Sequence, residues 1–222
     1  MAHRMETTKS NSFCYLHPES DDEAEMDTGH ESQSHDNTKS EPDTPSDVPE
    51  PENPEELVLK SSWVLWTHAV KNNDWSVSSY NQVLTLTTVA DVLRLANGFH
   101  KLDLRSYQYF VMRSGITPTW EDDANRSGGV CTFKTEITPM SQPKILSVVP
   151  VWNFLLKKMT GETLHEDMVD INGLSISPKN NWAIVKIWNR TGSNDLSVTL
   201  SSDVKTHLSS LSIKYKVNVP EY

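Results

Sequence analysis

Residues 145–161 read ILSVVPVWNFLLKKMTG, and two shorter runs follow them, GLSIS at 173–177 and WAIVKIW at 182–188. In the first stretch Ile145, Val148, Val149, Trp152, Leu155, Leu156 and Met159 recur at helical spacing, and Gly161 supplies a C-terminal stop, so it predicts one amphipathic helix. The two later runs are rich in β-branched and aromatic residues and predict strands. A helix followed by a strand pair is the unit of an antiparallel sheet that carries its helices on one face.

The rest of the body repeats that alternation. Towards the N-terminus, Trp63–Val70 predicts a strand ending in the turn-forming Lys71-Asn72-Asn73-Asp74, and Tyr80–Leu86 a second strand. Thr88-Val89-Ala90-Asp91 has the form of a capping box with Asp in place of Glu. It opens a helix running to about Ala96 and ending near Gly98, with Val89, Val92, Leu93 and Ala96 expected on one face. Tyr107–Met112 and Val130–Thr135 predict strands on either side of a loop, Thr117–Gly129. Beyond Trp188 the pattern predicts a helix near Leu196–Leu211 and a last strand, Ile213–Val219. The expected fold is α+β: an antiparallel sheet backed by about three helices.

Charge divides the chain in two. Residues 1–56 hold 16 acids against 3 Lys and Arg, and six of the 12 prolines, whereas residues 57–222 hold 14 acids against 17 Lys and Arg. The first segment lacks the apolar surface to offset chain entropy and is expected to be a disordered acidic tail, with Thr44-Pro45 a phosphorylation candidate. The domain is expected over 57–222. Its mild basicity excludes an acidic body and also a surface that coats long nucleic acid by charge alone. No apolar run approaches a membrane span, the N-terminus has no apolar signal segment, and Cys14 and Cys131 cannot form a disulfide framework or a zinc set. A soluble intracellular protein without metal or cofactor is the expectation.

Seven tryptophans fall in the body. Trp63, Trp66 and Trp152 lie within apolar patterns and are expected in the core, where an indole N–H normally finds a partner. Trp75 and Trp120 sit in polar loops, where an indole is either partly exposed or faces a flat ligand. Two such loops at one end of a sheet would sandwich a ring, each face gaining roughly 1–3 kcal/mol of stacking. Glu121, beside Trp120, can accept two hydrogen bonds along one edge of that ring, which guanine supplies through N1–H and its amine. A positive charge on the ring, as in N7-methylguanine, would add a cation–π contribution. A rival reading takes Glu121-Asp122-Asp123 and His165-Glu166-Asp167 with Asp170 as ligands of a metal-dependent nucleotide hydrolase. Against it, acidic runs are usually solvated, and no nucleophile–base spacing is visible.

Taken together, Trp63-Val64-Leu65-Trp66, Trp75, Thr88-Val89-Ala90-Asp91, the run Gly115–Asn125 with Gly128-Gly129, Trp152, Gly161-Glu162 and Ile187-Trp188-Asn189 resemble the eukaryotic translation initiation factor 4E family over roughly residues 57–219. The resemblance implies a curved sheet with three helices on its convex back and the 7-methylguanosine cap of mRNA held on the concave face. It implies that Trp75 and Trp120 sandwich the base and that Glu121 takes its N1–H and amine. The backbone N–H of Trp120 would bind the guanine carbonyl, and Trp188 would pack beside the methyl group. On the phosphate side Lys179 replaces a family Arg and cannot grip bidentately, while Val130 and Ile184 stand where the family has cations. Lys186 shares a strand face with Ile184 and Trp188 and is the remaining candidate for the phosphates.

The resemblance also implies a convex-face site for initiation factor 4G or a 4E-binding protein. Leu59, Val89 and Gly161 match it, but Leu93 replaces a family Trp and Asn153-Phe154 a Leu-Glu pair. Lys157 replaces a Leu, and Leu57-Val58-Leu59 replaces His-Pro-Leu. The expected partner interaction is therefore weakened or altered. The expectation is a monomeric, cytoplasmic cap reader, with the nucleus as a second location, that acts in translation initiation or, alternatively, as a cap-binding repressor. The Ile184 change is similar to the repressor subfamily, whereas Trp63 and Trp75 follow the main initiation class.

Overall fold

The computed structural model describes residues 53–137 and 147–218. The elements run β1 (Val58–Ala69), β2 (Asn81–Thr88), α1 (Val89–Gly98), β3 (Tyr107–Arg113), β4 (Gly129–Glu136), α2 (Val148–Thr160), β5 (Ile171–Pro178), β6 (Trp182–Asn189), α3 (Leu196–Thr199), α4 (Ser202–His207) and β7 (Ile213–Val217). Seven antiparallel strands form one curved sheet in the order β2-β1-β3-β5-β6-β4-β7.

Strand register explains how a chain with modest apolar content builds two different surfaces. Leu65, Val111, Leu174, Ile187 and Cys131 are paired in succession across five strands and all five are fully buried. This face lies under α1 and α2. Trp152, Leu155, Leu156 and Met159 descend from α2 without measurable exposure, and Phe99 stacks on Trp152 at 5.2 Å. Each large side chain removed from water there contributes about 1.5–3 kcal/mol. One position along each strand the side chains point the other way. There Trp66, Phe110, Ser175, Lys186, Thr132 and Lys214 form a row that starts aromatic and ends cationic.

Trp63, Trp66 and Trp152 are core residues, 0%, 8% and 0% exposed. Contrary to the expectation for buried indoles, their N–H groups have no protein hydrogen-bond partner among the described residues. Trp63 instead lies 4.4 Å from the guanidinium of Arg113. That side chain is itself held by the carbonyls of Met168 and Ile171 at 2.7 and 3.2 Å and by Glu162 at 3.4 Å.

The capping box forms as expected. Thr88 Oγ1 accepts the Asp91 N–H at 3.2 Å, and Asp91 accepts the Thr88 N–H at 2.9 Å. The helix it opens is rotated from the expected phase. Its buried residues are Ala90, Val92, Leu95, Ala96 and Gly98, while Val89 and Leu93 are half-buried.

Two other expectations need correction. The helix near Leu196–Leu211 is two short helices broken at Leu200, because Leu200 bridges to His165 and the Ser201 N–H bonds to Leu164 O at 3.1 Å. Extended pairing with residues 164–165 replaces helical hydrogen bonds there. Four residues of the expected tail, 53–56, form a turn instead. Glu56 N–H bonds to Asn53 O, Ala90 N–H to Pro54 O, and Glu55 pairs with Arg94. The rest of the tail, the Ile145 end of the second helix and Val219 lie outside the described residues.

Candidate functional site

Two loops rise at one end of the open face, and different forces hold them. The first joins β1 to β2. Asn72 Oδ1 accepts the Asp74 N–H at 3.0 Å and Asp74 Oδ1 accepts the Ser76 N–H at 2.9 Å, two consecutive side-chain-to-backbone turns. The Ser76 hydrogen bonds hold the Asp74 carboxyl below its ordinary range. Trp75 stands between them, 51% exposed. Behind it, the ring of His68 from β1 is stacked at 4.4 Å and 13°. His68 is fully buried, with the Tyr80 ring tilted by 43° at 4.7 Å. Its Nε2 lies 2.8 Å from Asp74 O. A carbonyl only accepts, so Nε2 carries the proton, and Nδ1 has no partner among the described residues. One face of Trp75 is therefore covered and the other is presented.

The second loop, 117–129, is fastened by polar contacts. Asp122 accepts from Thr117 N at 2.8 Å, Thr117 Oγ1 at 2.7 Å and Ala124 N at 2.9 Å. The fully buried Asn125 donates to Thr117 O at 3.0 Å and Thr119 O at 2.8 Å. Asn172 donates to Asn125 Oδ1 and Ala124 O, and Asn218 to Asn125 O. At the loop's far end Gly128 lies so close to β6 that a Cβ there would fall 1.8 Å from Asn189 O. A methyl group cannot be accommodated against backbone at that distance, which accounts for glycine at this position. This mesh leaves Trp120, 40% exposed, and the exposed Glu121 facing outwards. Neither the backbone N–H of Trp120 nor the Glu121 carboxylate has a hydrogen-bond partner among the described residues.

Between the walls lies a recess of about 330 Å³ lined by Trp75, Tyr80, Gln108, Phe110, Pro118, Thr119, Trp120, Glu121, Ser177, Lys186 and Trp188. Trp188 forms part of its floor, nearly buried, with its N–H donated to Ser175 Oγ at 2.9 Å. Tyr80 feels both the floor and the wall: burial, and then the negative charge of Glu121, push its hydroxyl pKa up to about 12. Lys186 is half-buried beside Trp188, and its ammonium is disfavoured by burial and then by the cations of Lys179 and Lys216, which lower its pKa.

The structure thus brings Trp75, Trp120, Glu121, Trp188 and Lys186 to one recess. Lys179 is not among its lining residues. It sits at the turn into β6 and borders a larger depression of about 1050 Å³ with Arg105, Asn181 and Trp182. His68, Tyr80, Gln108, Phe110 and Ser177 were not expected at the site. Period-2 alternation from Trp66 would have placed His68 on the same face, and nothing local in the sequence marks Gln108 or Ser177, which meet at 2.8 Å only through strand pairing.

On the back, the start of β1 is tied to α1 by Val89 N–H to Leu57 O at 2.9 Å. Leu59, Val89 and Leu93 are half-buried, and Gly161 is exposed at the C-terminal end of α2. Phe154 is not presented freely, because His207 stacks on it at 3.8 Å.

Three groups of the hydrolase reading are held by hydrogen bonds within the fold, whereas Glu121 has no partner among the described residues. Asp122 ties its own loop, Asp170 accepts from Asn189 and Asn194, and His165 Nδ1 accepts the Asp167 N–H. No group of three or more His, Cys, Asp or Glu suited to a metal ion occurs among the described residues. No helix among them is long and apolar enough to cross a membrane.

A recess lined by two half-exposed indoles, an unpartnered carboxylate and an unpartnered backbone N–H offers stacking surface and hydrogen-bonding groups for a planar heterocycle. Comparison with known proteins agrees in kind. Residues 58–220 match the family model described as eukaryotic initiation factor 4E. Eukaryotic translation initiation factor 4E of Eremothecium gossypii is 30% identical over 139 residues, covering 60% of this chain and 62% of the relative, and that of Saccharomyces cerevisiae has the same identity and coverage. These matches span less than two thirds of the relatives' length. Among solved structures, Caenorhabditis elegans eIF4E-3 in complex with the 4E-binding protein Mextli and a cap analog superposes with a TM-score of 0.59 at 22% identity, covering 72% of this chain and 92% of that one. Ascaris suum eIF4E-3 with m7G cap gives 0.59 at 22%, covering 74% and 93%. At that identity the likeness establishes the fold.

Proposed function

The chain belongs to the eukaryotic initiation factor 4E family, and from that premise we propose that it binds the 7-methylguanosine end of mRNA in the recess between Trp75 and Trp120, and acts in translation without catalysing a reaction. The supporting observation is the pairing of two half-exposed indoles with an unpartnered carboxylate in one recess. In this reading the methylated base lies between the two rings. Glu121 accepts from N1–H and the amine, the Trp120 N–H donates to the carbonyl, and Trp188 packs beside the methyl group. Lys186 meets the first phosphates, and Lys179 adds charge from the adjoining depression.

The test is a titration of intrinsic tryptophan fluorescence with N7-methyl-GTP and with GTP, followed by an assay for nucleotide turnover with magnesium. Quenching by the methylated nucleotide alone, without turnover, is the expected result. Glu121→Ala should abolish recognition, because two guanine donors would be desolvated with nothing to accept them. Binding by Glu121→Ala at wild-type strength would falsify the geometry.

The convex back favours a second reading of what the bound cap is used for. Leu93 replaces an indole donor, Asn153 replaces an apolar residue and Phe154 is covered by His207. A partner of the initiation factor 4G or 4E-binding protein type would meet an altered surface around Leu59, Val89, Leu93 and Gly161, which suits a cap-binding regulator of translation in the cytoplasm. Tight binding of an ordinary family partner peptide to the purified chain would remove this reading and leave the initiation role.

A further inference from the structure

Strand register gathers further cations on the face that carries the recess. Thr132 of β4 is paired with Lys186 on one side and Lys214 on the other, and Val130 with Trp188 and Lys216. Lys134 is paired with Ile184. Residues directly opposite in an antiparallel sheet project from the same face, so Lys134, Lys186, Lys214 and Lys216 stand on one surface. Lys134, Lys214 and Lys216 are exposed, and none of the three is in an ion pair among the described residues. Burial, and then the cations of Lys179 and Lys216, lower the pKa of Lys186. The exception in sign is Glu136, opposite Trp182 at the far end.

Like charges gathered on one face destabilise it unless an anion covers them. Their layout identifies the anion. The strand β6 runs from Trp188, on the floor of the recess, to Trp182, on the rim of the second depression; Lys186 is on it, Lys134 on the adjacent β4, 4.5 Å from the Trp182 ring, and Lys214 and Lys216 one strand further on β7. Six residues of strand cover about 20 Å. A cationic strip with hydroxyls (Thr132, Ser177) and an aromatic at its end, starting at a nucleotide-sized slot, suits a phosphodiester chain followed without regard to sequence.

We propose that the open face of β4, β6 and β7 binds the backbone of single-stranded RNA continuing from the base held in the recess, with Lys134, Lys214 and Lys216 as the phosphate contacts. This rests on the cap-binding reading of that recess. The competing occupant is an acidic polypeptide, of which residues 1–56 of this chain are an example.

The experiment compares m7GpppG with a capped 12-nucleotide RNA on the full chain across a salt series, for wild type and for Lys134→Gln/Lys214→Gln/Lys216→Gln. The capped RNA is expected to bind about tenfold more tightly than the dinucleotide at 0.1 M salt. Its log-affinity should fall with log-salt more steeply by about 2, because each of three phosphate contacts on a single strand contributes about 0.7. The triple variant should keep its m7GpppG affinity within about twofold and lose the advantage of the longer RNA, with both slopes equal. If m7GpppG binds and the 12-nucleotide RNA binds no better, the inference is overturned while the recess assignment stands. If, in that case, poly-glutamate binds wild type and not the triple variant, the face belongs to an acidic polypeptide. Failure of both capped ligands to bind overturns the recess assignment and this inference together.

Discussion

The two walls of the recess present the same side chain by opposite means. Trp120 rides on a loop in which Asp122 and Asn125 satisfy backbone groups on both sides of it. Trp75 rides on a loop whose contacts are local turns, and its plane is set by a second ring, His68, pressed against its back. A buried polar mesh is costly to break, because each orphaned group keeps its desolvation penalty. Ring stacking has a shallow dependence on lateral position and tolerates sliding. One wall is therefore fastened by a buried polar mesh and the other by ring stacking and local turns; under the proposed reading the first is a fixed reference for the base and the second a compliant jaw.

Breaking the fixed wall should have the largest effect. Asn125→Ala leaves the carbonyls of Thr117 and Thr119 without their partner, at about 1–3 kcal/mol each, and the Asn172 amide keeps only Ala124 O as acceptor. The expected outcome is a loss of about 3–5 kcal/mol of stability in urea unfolding, with cap-analogue binding below detection. Next comes removal of a plate. Trp75→Ala should cost about 1–3 kcal/mol of binding, up to roughly 150-fold in Kd by fluorescence titration. Its effect on stability should be small, because the ring is half-exposed. A Trp75→Ala protein that unfolds as readily as Asn125→Ala would erase the distinction between the walls.

The wall that is fixed is also the one the sequence spells out. Pro118-Thr119-Trp120-Glu121-Asp122 with Gly128-Gly129 is legible because the residues of the proposed site and their fastening are encoded side by side: Asp122 and Asn125 lie within five residues of Trp120 and bond locally. The compliant wall is half hidden. Trp75 stands out in its polar loop, but His68 reads as one more strand residue, and only the fold reveals that the β1–β2 turn folds Trp75 back onto it. Gln108 and Ser177 are hidden for the same reason, being brought together by β3–β5 pairing. Strand positions follow the alternation closely, whereas the helical phase of α1 and the break at Leu200 were decided by tertiary contacts. Leu95 is buried, and Ser201 bonds to Leu164 instead of continuing a helix.

His68 offers the sharper test of how the jaw is held. Removing its ring leaves Trp75 free to tilt, so His68→Ala should weaken cap-analogue binding about tenfold, less than removal of Trp75 itself. His68→Phe restores a flat ring without the hydrogen bond to Asp74 O. If stacking sets the plane, Phe should recover most of the affinity. If the Nε2–H to Asp74 bond does, Phe should behave like Ala. Fluorescence anisotropy of a single-tryptophan reporter at position 75 would show the same split, since a loosened ring depolarises faster.

Between the walls, Lys186 tests whether the floor serves the base or the phosphates. Burial and two neighbouring cations hold its pKa below the ordinary lysine value. The charged form therefore costs stability in the folded chain; the penalty is complete below the lowered pKa and fades as pH rises through it. Lys186→Met removes the penalty at neutral pH, and the empty protein should melt about 2 °C higher, a difference that narrows as pH is raised towards 10. The same substitution should weaken N7-methyl-GTP by no more than about fivefold, the usual worth of a solvent-accessible ion contact, and leave N7-methylguanosine, which has no phosphate, unchanged. Equal losses for the two ligands would place the ammonium against the base and remove it from the phosphate path.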